Sequence, residues 1–160
     1  MKTPQPLSSK AQSITDIMVM IFRLNGRLLD RGDELVESLN ITSARWQLLG
    51  AAHLANRPLT APQIAESMGV SRQGAQKQLD KMAAEGFFES QVNPHHARSP
   101  LYSLTLKGRQ TIAQAMHRQT LWSSHLARGW NLDCLTQTLS SLETLYVQLD
   151  SPISSQGTPQ

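Results

Sequence analysis

The spacing of apolar residues predicts that the chain begins with a long amphipathic helix. Between Ala11 and Leu39, apolar side chains recur at intervals of three, four and seven residues, which places them on one stripe of a helix. Gly26 and Gly32 fall within this stretch. Because glycine is a poor helix former, we expect both to weaken the helix and to permit a bend. The stripe consists of Ile14, Ile17, Met18, Ile21, Leu24, Leu28, Leu35 and Leu39.

A second helix is predicted between residues 42 and 56. Thr42 or Ser43 can cap it, since a side-chain oxygen at that position accepts a hydrogen bond from the first turn. It stops before Arg57 and Pro58, because proline disfavours the helical conformation in the residue before it. Its main apolar positions are Trp46, Leu48, Leu49, Ala52 and Leu54.

Two short helices joined by a tight turn follow. Thr60 is the predicted N-cap of the first, and Gln63 completes a capping-box pattern. Gly69 stands where a left-handed residue would end that helix, and Ser71 can cap the second. This order is the outline of a helix-turn-helix. The first helix is predicted to turn Ile64, Ala65 and Met68 inward, and the second, residues 72–85, to bury Ala75, Leu79 and Met82 and expose Arg72, Gln73, Gln76, Lys77 and Asp80.

A β-hairpin is predicted directly after the second of these helices. Side chains alternate between two faces in residues 88–93 and again in residues 101–105. Pro94 and Pro100 bracket the connecting loop. Because proline cannot donate to a strand ladder, we expect the hairpin tip to be an exposed edge. One face is predicted to carry Phe88, Ser90, Val92, Tyr102 and Leu104.

Two longer helices complete the predicted fold. Thr105 can cap the first, which carries Ile112, Met116, Trp122 and Leu126 and ends near Gly129. The apolar residues of the second are spaced three and four apart, a heptad seam of about 27 Å at 1.5 Å per residue. A seam this regular requires a partner helix. It consists of Leu132, Leu135, Leu139, Leu142, Tyr146 and Leu149.

These elements predict a mainly α fold with a small β-hairpin, divided into successive regions. Residues 1–10 and 151–160 are rich in Pro, Ser and Gln and are predicted to be disordered tails. Between them lie N-terminal helices in residues 11–56, a winged helix-turn-helix in residues 57–108 and C-terminal helices in residues 109–150. A length of 160 residues suffices for a substantial core.

Composition adds only mild constraints. The formal charge of +3 permits an anionic partner without arguing for one. No apolar run is long enough to span a membrane, and the N-terminus lacks the features of a signal peptide. The sequence therefore predicts a cytoplasmic protein. The single cysteine, Cys134, agrees with a reducing compartment.

The outer face of residues 72–85 carries the groups that a DNA-reading helix needs. Gln73 and Gln76 can each bond adenine in two places, and Arg72 or Lys77 can donate to guanine or to phosphate. Arg98 at the hairpin tip can enter the minor groove. The alternative is an ordinary helical pair with a solvated polar face, followed by a structural hairpin. The predicted DNA contacts are Thr60, Ser71, Arg72, Gln73, Gln76, Lys77 and Arg98.

Several short motifs together resemble the MarR family of winged-helix transcription regulators. They are spread over the winged-helix region, while the order of helices matches over almost all of residues 11–150. Any one motif is weak, but their combination is specific. They are Leu59-Thr60, Ile64-Ala65, Gly69-Val70-Ser71, Leu79, Lys81-Met82, Glu85-Gly86, Asn93-Pro94, Arg98, Leu104-Thr105 and Lys107-Gly108.

The resemblance implies a homodimeric DNA-binding protein. The first helix and the last two would hold the dimer, the helix after Ser71 would enter the major groove, and the hairpin would act as the wing. Such proteins usually repress transcription, and many release DNA when a small, often aromatic, anion binds. The dimerisation residues implied are Ile14, Met18, Ile21, Leu135, Leu139, Leu142, Tyr146 and Leu149.

The wing departs from the pattern of the family. Where relatives commonly have an aspartate followed by two basic residues, this chain has His95, His96, Ala97 and Arg98. The usual salt bridge to the wing arginine is therefore in question, unless a histidine orients it by hydrogen bonding. Two histidines near phosphates also predict that DNA affinity depends on pH between about 6 and 7.

Other candidate sites have weaker support. Planar aromatic and cationic side chains favour an effector pocket formed by Arg23, Arg27, Trp46, His53 and Trp122, with Trp130 nearby; the alternative is that each aromatic ring fills the core. Adjacent histidines without nearby cysteine or carboxylate are a poor metal pattern, so we expect no metal and no cofactor. For Cys134 we expect partial burial in a structural role rather than oxidation sensing.

Three functions can be compared on this basis. The first is a sequence-specific repressor bound to an inverted-repeat DNA operator, with a possible small aromatic or anionic effector and no membrane partner. The second is a winged-helix module that contacts protein and has lost DNA binding. The third is an enzyme, for which the sequence offers no paired carboxylates, activated nucleophile, phosphate loop or metal cluster. We therefore predict a non-enzymatic regulator.

Overall fold

The structure is a computed structural model that describes residues 7–96 and 98–151. Over those residues the fold is mainly α with a small antiparallel sheet, which confirms the predicted class. Most of both predicted tails, and Ala97 in the wing, lie outside the described residues. The elements are α1 (Ser9–Val36) with a final 3-10 turn (Glu37–Leu39), α2 (Ser43–Ala55), β1 (Leu59–Thr60), α3 (Ala61–Met68), α4 (Arg72–Ala84), β2 (Phe88–Gln91), β3 (Leu101–Leu104), α5 (Leu106–Leu126) and α6 (Leu132–Leu149).

The chain divides into two compact units, residues 1–120 and residues 121–160. The hydrophobic core lies in the first unit, where the end of α1, helices α2 to α4, the sheet and the start of α5 pack together. No described helix is long and apolar enough to cross a bilayer. The largest side chains with almost no exposure are Val36, Leu49, Ile64, Leu79, Met82 and Ile112.

The end of α1 is fixed to the start of α2 through Ser43. Its backbone N–H donates to Asp33 Oδ1 at 2.5 Å, and its hydroxyl donates to the carbonyl oxygen of Leu29 at 2.7 Å. A Cβ atom on Gly32 would lie 2.6 Å from the Ser43 hydroxyl oxygen. Gly32 therefore allows the two helices to approach closely, a role that the sequence pattern did not indicate. A Cβ on Gly26 would meet nothing within 4 Å, so the packing does not require glycine there.

Local hydrogen bonds begin and end the central helices as predicted. The Thr60 hydroxyl accepts from Gln63 N–H, and Gln63 Oε1 accepts from Thr60 N–H, which completes the capping box. Gly69 adopts φ +63° in the turn, a conformation that most side chains disfavour. Ser71 then caps α4 through Gly74 N–H at 3.1 Å.

The sheet has one strand more than the sequence predicts. Its order is β1-β3-β2 and both pairings are antiparallel, so the short β1 extends the predicted hairpin. β1 places Leu59 opposite Tyr102 in β3. The hairpin itself is confirmed, although β2 ends at Gln91. Val92, which was predicted on the same face as Phe88, lies beyond the strand and is 85% exposed.

Helix α6 has the predicted extent but a different pattern of burial within the chain. The residues of the predicted seam are exposed, whereas Leu145, which the seam omits, is 8% exposed. Cys134 is also exposed, so the expectation of partial burial was wrong for the single chain. The seam therefore presents an uncovered apolar row.

Candidate nucleic-acid interface

Helix α4 has a buried face and a polar face, as its sequence pattern predicts. Ala75, Leu79 and Met82 are at most 2% exposed and fix the helix to the core. Arg72, Gln73 and Lys77 project from the exposed side. Three side chains that can contact bases or phosphates are therefore held on a rigid helix and remain exposed to solvent.

Two other residues that were predicted to contact DNA use their side chains to cap helices. The hydroxyl groups of Thr60 and Ser71 accept from backbone N–H groups at the starts of α3 and α4. Both side chains therefore have a structural role in the helix-turn-helix, whether or not they also meet DNA.

Gln76 is less free than its position on the sequence predicts. It is partly buried, and its Nε2 lies 2.8 Å from Asp80 Oδ1 and 2.7 Å from the Tyr102 hydroxyl oxygen. The Tyr102 hydroxyl in turn donates to Asp80 Oδ1 at 2.9 Å. These contacts tie α4 to strand β3 of the wing. Spacing along the chain could not predict this link, because Tyr102 is 26 residues from Gln76.

Tyr102 is held firmly from its other side. Its side chain is 2% exposed, and its ring meets Phe88 edge to face with centroids 6.4 Å apart. Burial is the main reason why the pKa of Tyr102 is raised, with the bond to Asp80 adding to the effect and the bond from Gln76 opposing it. The hydroxyl therefore remains protonated at neutral pH and can donate to Asp80.

Asn93 organises the wing loop. It is 8% exposed, its Nδ2 donates to the carbonyl oxygen of Ser99 at 2.9 Å, and its Oδ1 accepts from the N–H of His95 at 3.0 Å. One amide thus joins the two sides of the loop. One alternative raised by the sequence was that a histidine orients the wing arginine, but no hydrogen bond from either imidazole is found among the described residues.

Arg98 is exposed at the wing tip. Among the described residues no carboxylate lies within ion-pairing distance of it. The family salt bridge that the sequence placed in question is therefore not formed within the described residues, and the guanidinium faces solvent.

The C-terminal end of α4 is fixed by charge. Arg45 of α2 makes two hydrogen bonds to the Glu85 carboxylate, at 2.6 and 2.7 Å. The Arg45 bond is the main cause that lowers the pKa of Glu85 and raises that of Arg45. Lys107 donates to the Glu85 carbonyl oxygen at 2.7 Å and sits 4.1 Å from the centre of the Phe87 ring. The helix is thereby braced from α2 and from α5.

The residues of the predicted effector pocket have different surroundings. Trp46 packs against the core, while Arg23 and Arg27 are exposed on α1. Trp122 belongs to the second unit. His53 lines a cleft of about 180 Å³, together with Ala52, Asn56, Arg57, Pro58, Ser103, Leu104 and Arg109.

No group of three potential metal ligands occurs among the described residues. The histidines of the wing loop instead line a wider groove of about 790 Å³ between the loop and the start of α3.

Known proteins match both the winged-helix region and most of the chain. The sequence model of the MarR family matches residues 39–99. Uncharacterized protein Rv2011c of Mycobacterium tuberculosis is 33% identical over 139 residues, which span 87% of this chain and 96% of that protein. The chain belongs to the MarR family. Uncharacterized protein Mb2034c of Mycobacterium bovis has the same identity and coverage.

Solved MarR-family structures share the fold. The MarR family transcription regulator SP03579 superposes with a TM-score of 0.74 at 20% identity, over 88% of this chain and 94% of that one. The regulator BldR from Sulfolobus solfataricus gives a TM-score of 0.72 at 18% identity, over 86% and 99%. The transcriptional repressor CouR, solved bound to a 23-mer DNA duplex, gives 0.69 at 26% identity, over 79% and 89%. The chain is therefore a MarR-family transcription regulator with a winged-helix fold.

Proposed function

We propose that this regulator is a homodimeric repressor that binds double-stranded DNA at an inverted-repeat operator. The observation that carries the proposal is the two-sided structure of α4. Its inner face is buried, and its outer face presents Arg72, Gln73 and Lys77 to solvent. A rigid helix with such a face suits the major groove. The DNA-bound CouR structure supports this use of the fold.

The wing contributes a second contact in this proposal. Arg98 is exposed, and Asn93 holds the loop that carries it. An exposed guanidinium at the tip of a hairpin suits a narrow minor groove. A homodimer would place two such units on half-sites about 34 Å apart, one turn of DNA.

Dimerisation is proposed from the uncovered apolar surface of α1. Ile14, Ile17 and Ile21 of the predicted stripe are 37% to 41% exposed, and Val19 and Phe22, which lie off the stripe, are 51% and 77% exposed. A helix that is apolar on several sides is stable when other elements cover it. A second copy of the chain can supply them.

The direct test compares two lysines of equal charge. Lys77→Ala should weaken binding to every duplex and reduce the salt slope of the affinity by about one, because one phosphate contact is lost. Lys10→Ala, near the start of α1 and far from the part of α1 that meets the core, removes the same charge and should leave both quantities unchanged. Fluorescence anisotropy in a salt titration measures them.

DNA affinity without dependence on salt would contradict this assignment. Equal losses of DNA affinity in Lys77→Ala and Lys10→Ala would also contradict it. A complete lack of affinity for DNA would favour the protein-contact function instead.

We further propose that a small anion releases the protein from DNA. The cleft at His53 supports this, since Arg57 and Arg109 line it and no acidic side chain is among its lining residues. Benzoate, a planar anion, should bind the wild type and lower its DNA affinity, whereas Arg109→Ala should bind benzoate about tenfold more weakly, as expected for loss of a charged hydrogen bond. Calorimetry measures the binding. Equal benzoate affinity in both proteins would rule out this cleft.

A further inference from the structure

The side-chain amide of Gln76 is oriented by two partners before any DNA arrives. Its Nε2, Asp80 Oδ1 and the Tyr102 hydroxyl oxygen form a nearly equilateral triangle with sides of 2.7 to 2.9 Å. Two of the three atoms belong to α4, and the third belongs to the buried Tyr102 of the wing sheet.

The chemistry of these partners determines which end of the amide faces them. A carboxylate only accepts hydrogen bonds, so the amide group that faces Asp80 is the NH2 group and not the carbonyl. The Tyr102 proton points to Asp80, which leaves the phenolic oxygen free to accept. A flipped Gln76 would set its carbonyl oxygen against the carboxylate. The arrangement therefore fixes the amide in one orientation.

The NH2 group of Gln76 is directed into the protein. Contacts of 2.7 and 2.8 Å from nitrogen to oxygen are of hydrogen-bond length, and the triangle sets the two acceptors about 60° apart as seen from Nε2. The two N–H bonds of an amide diverge by about 120°, so the two hydrogens meet this pair of acceptors through bent bonds. Within residues 7–96 and 98–151, no donor reaches Gln76 Oε1. The remaining capacity of the side chain is therefore to accept.

We propose that Gln76 reads DNA as a hydrogen-bond acceptor only, with Asp80 and Tyr102 as the residues that position it. In the major groove, adenine N6 and cytosine N4 donate hydrogen bonds, whereas guanine and thymine present acceptors. Gln76 thus selects adenine or cytosine on one strand and does not separate them. This inference rests on the proposed DNA binding, and it replaces the two-bond contact with adenine that the sequence suggested.

Gln73 provides a comparison within the same helix. It is exposed, and within the described part of the chain its amide makes no hydrogen bond. Both ends of that amide can meet adenine, at N6 and N7. A base position read by Gln73 should therefore be specific for adenine and should not respond to changes at Tyr102.

The test is selection of duplexes from a randomised pool by the full-length protein and its variants. Gln76→Ala identifies the base position that depends on this residue. At that position the wild type should enrich adenine and cytosine equally. Tyr102→Phe keeps the buried ring and frees one N–H, which can then donate to adenine N7. Adenine should consequently gain about fivefold over cytosine, the range of one net hydrogen bond.

Asp80→Ala is the second variant, and it frees the other N–H from an exposed position that tolerates the change. Only the N–H on the Oε1 side of the amide can reach adenine N7 while Oε1 accepts from N6, so the gain of adenine over cytosine is expected from the variant that frees that N–H. Loss of a negative charge at Asp80 also strengthens binding to all duplexes. The ratio of adenine to cytosine is independent of that general gain. A purely structural role for the triangle would alter affinity or stability and leave this ratio unchanged.

Enrichment of guanine or thymine by the wild type at that position would overturn the inference. An unchanged ratio in both variants would do the same while leaving the proposed DNA binding intact. If the wild type enriches no sequence at all, the proposed function itself fails.

Discussion

At the scale of single residues, the wing shows how position in the fold decides a role. The sequence drew attention to His95 and His96, because they replace charged residues of the family. The loop is instead organised by Asn93, whose buried amide bonds to the backbone on both sides of the turn. The pair Asn93-Pro94 was recognised as part of the family pattern, but its physical reason required the distance to Ser99.

Replacing this amide should loosen the wing. Asn93→Ala leaves the His95 N–H and the Ser99 carbonyl without their partner and should lower the free energy of unfolding by about 1–2 kcal/mol. DNA affinity should fall about three- to tenfold, because the loop must then be ordered on binding. Denaturant unfolding and anisotropy measure the two effects. Ser99→Ala is the control, since only the backbone of Ser99 takes part, and a similar loss there would contradict this role.

At the scale of elements, the sequence predicted the features that depend on near neighbours. The capping box of α3 and the cap of α4 follow from residues three positions apart, so their spacing is visible in the sequence. Strand β1 was missed because two residues carry no detectable alternation, and only pairing with β3 makes them a strand. The tight approach at Gly32 likewise depends on Ser43, which the fold brings against it from another helix.

The bond between α2 and α4 predicts a response to acid. Because Arg45 lowers the pKa of Glu85, this pair stabilises the fold above the ordinary glutamate value of 4.5, and the stabilisation is lost as the pH falls through the lowered value. Asp33, whose pKa is lowered mainly by the Ser43 N–H, acts in the same direction. The melting temperature should therefore fall as the pH is lowered from 6 to 3.

Glu85→Gln isolates the contribution of this pair. The variant should be less stable than the wild type at pH 6 and should lose less stability on acidification, because the amide does not titrate. Glu34→Gln is the control, since the pair of Glu34 with Arg31 lies within one helix. An acid profile of Glu85→Gln that is parallel to the wild type would show that the interhelical pair does not contribute.

At the scale of the whole molecule, apolar surface is the main feature that a single chain leaves unexplained. Leu139 on α6 is 59% exposed, and Phe22 on α1 is 77% exposed. The sequence predicted the regular seam of α6 from its heptads, but α1 proves apolar on more sides than one stripe. Surfaces of this kind mark interfaces between proteins, which agrees with the proposed homodimer.

Charges placed on the apolar face of α1 or on that of α6 should separate the dimer. Leu139→Glu and Ile21→Glu should each shift the protein towards monomer at micromolar concentration, because a carboxylate at an apolar interface loses its hydration. Leu54→Glu is the control, as Leu54 is 74% exposed on α2 and lies on neither face. Sedimentation equilibrium measures the mass. If the two test variants remain dimeric while the control dissociates, the interface lies elsewhere.

The exposed apolar face of α1 also affects how the activity of the protein depends on its concentration in the cell. If only the paired form holds an operator, and if pairing is weak at the prevailing concentration, the number of active molecules rises with the square of the number of chains. Doubling the supply then raises the active form about fourfold, and dilution during growth reduces it as steeply. A face that binds a second copy would therefore turn gradual changes in synthesis into a sharper genetic response.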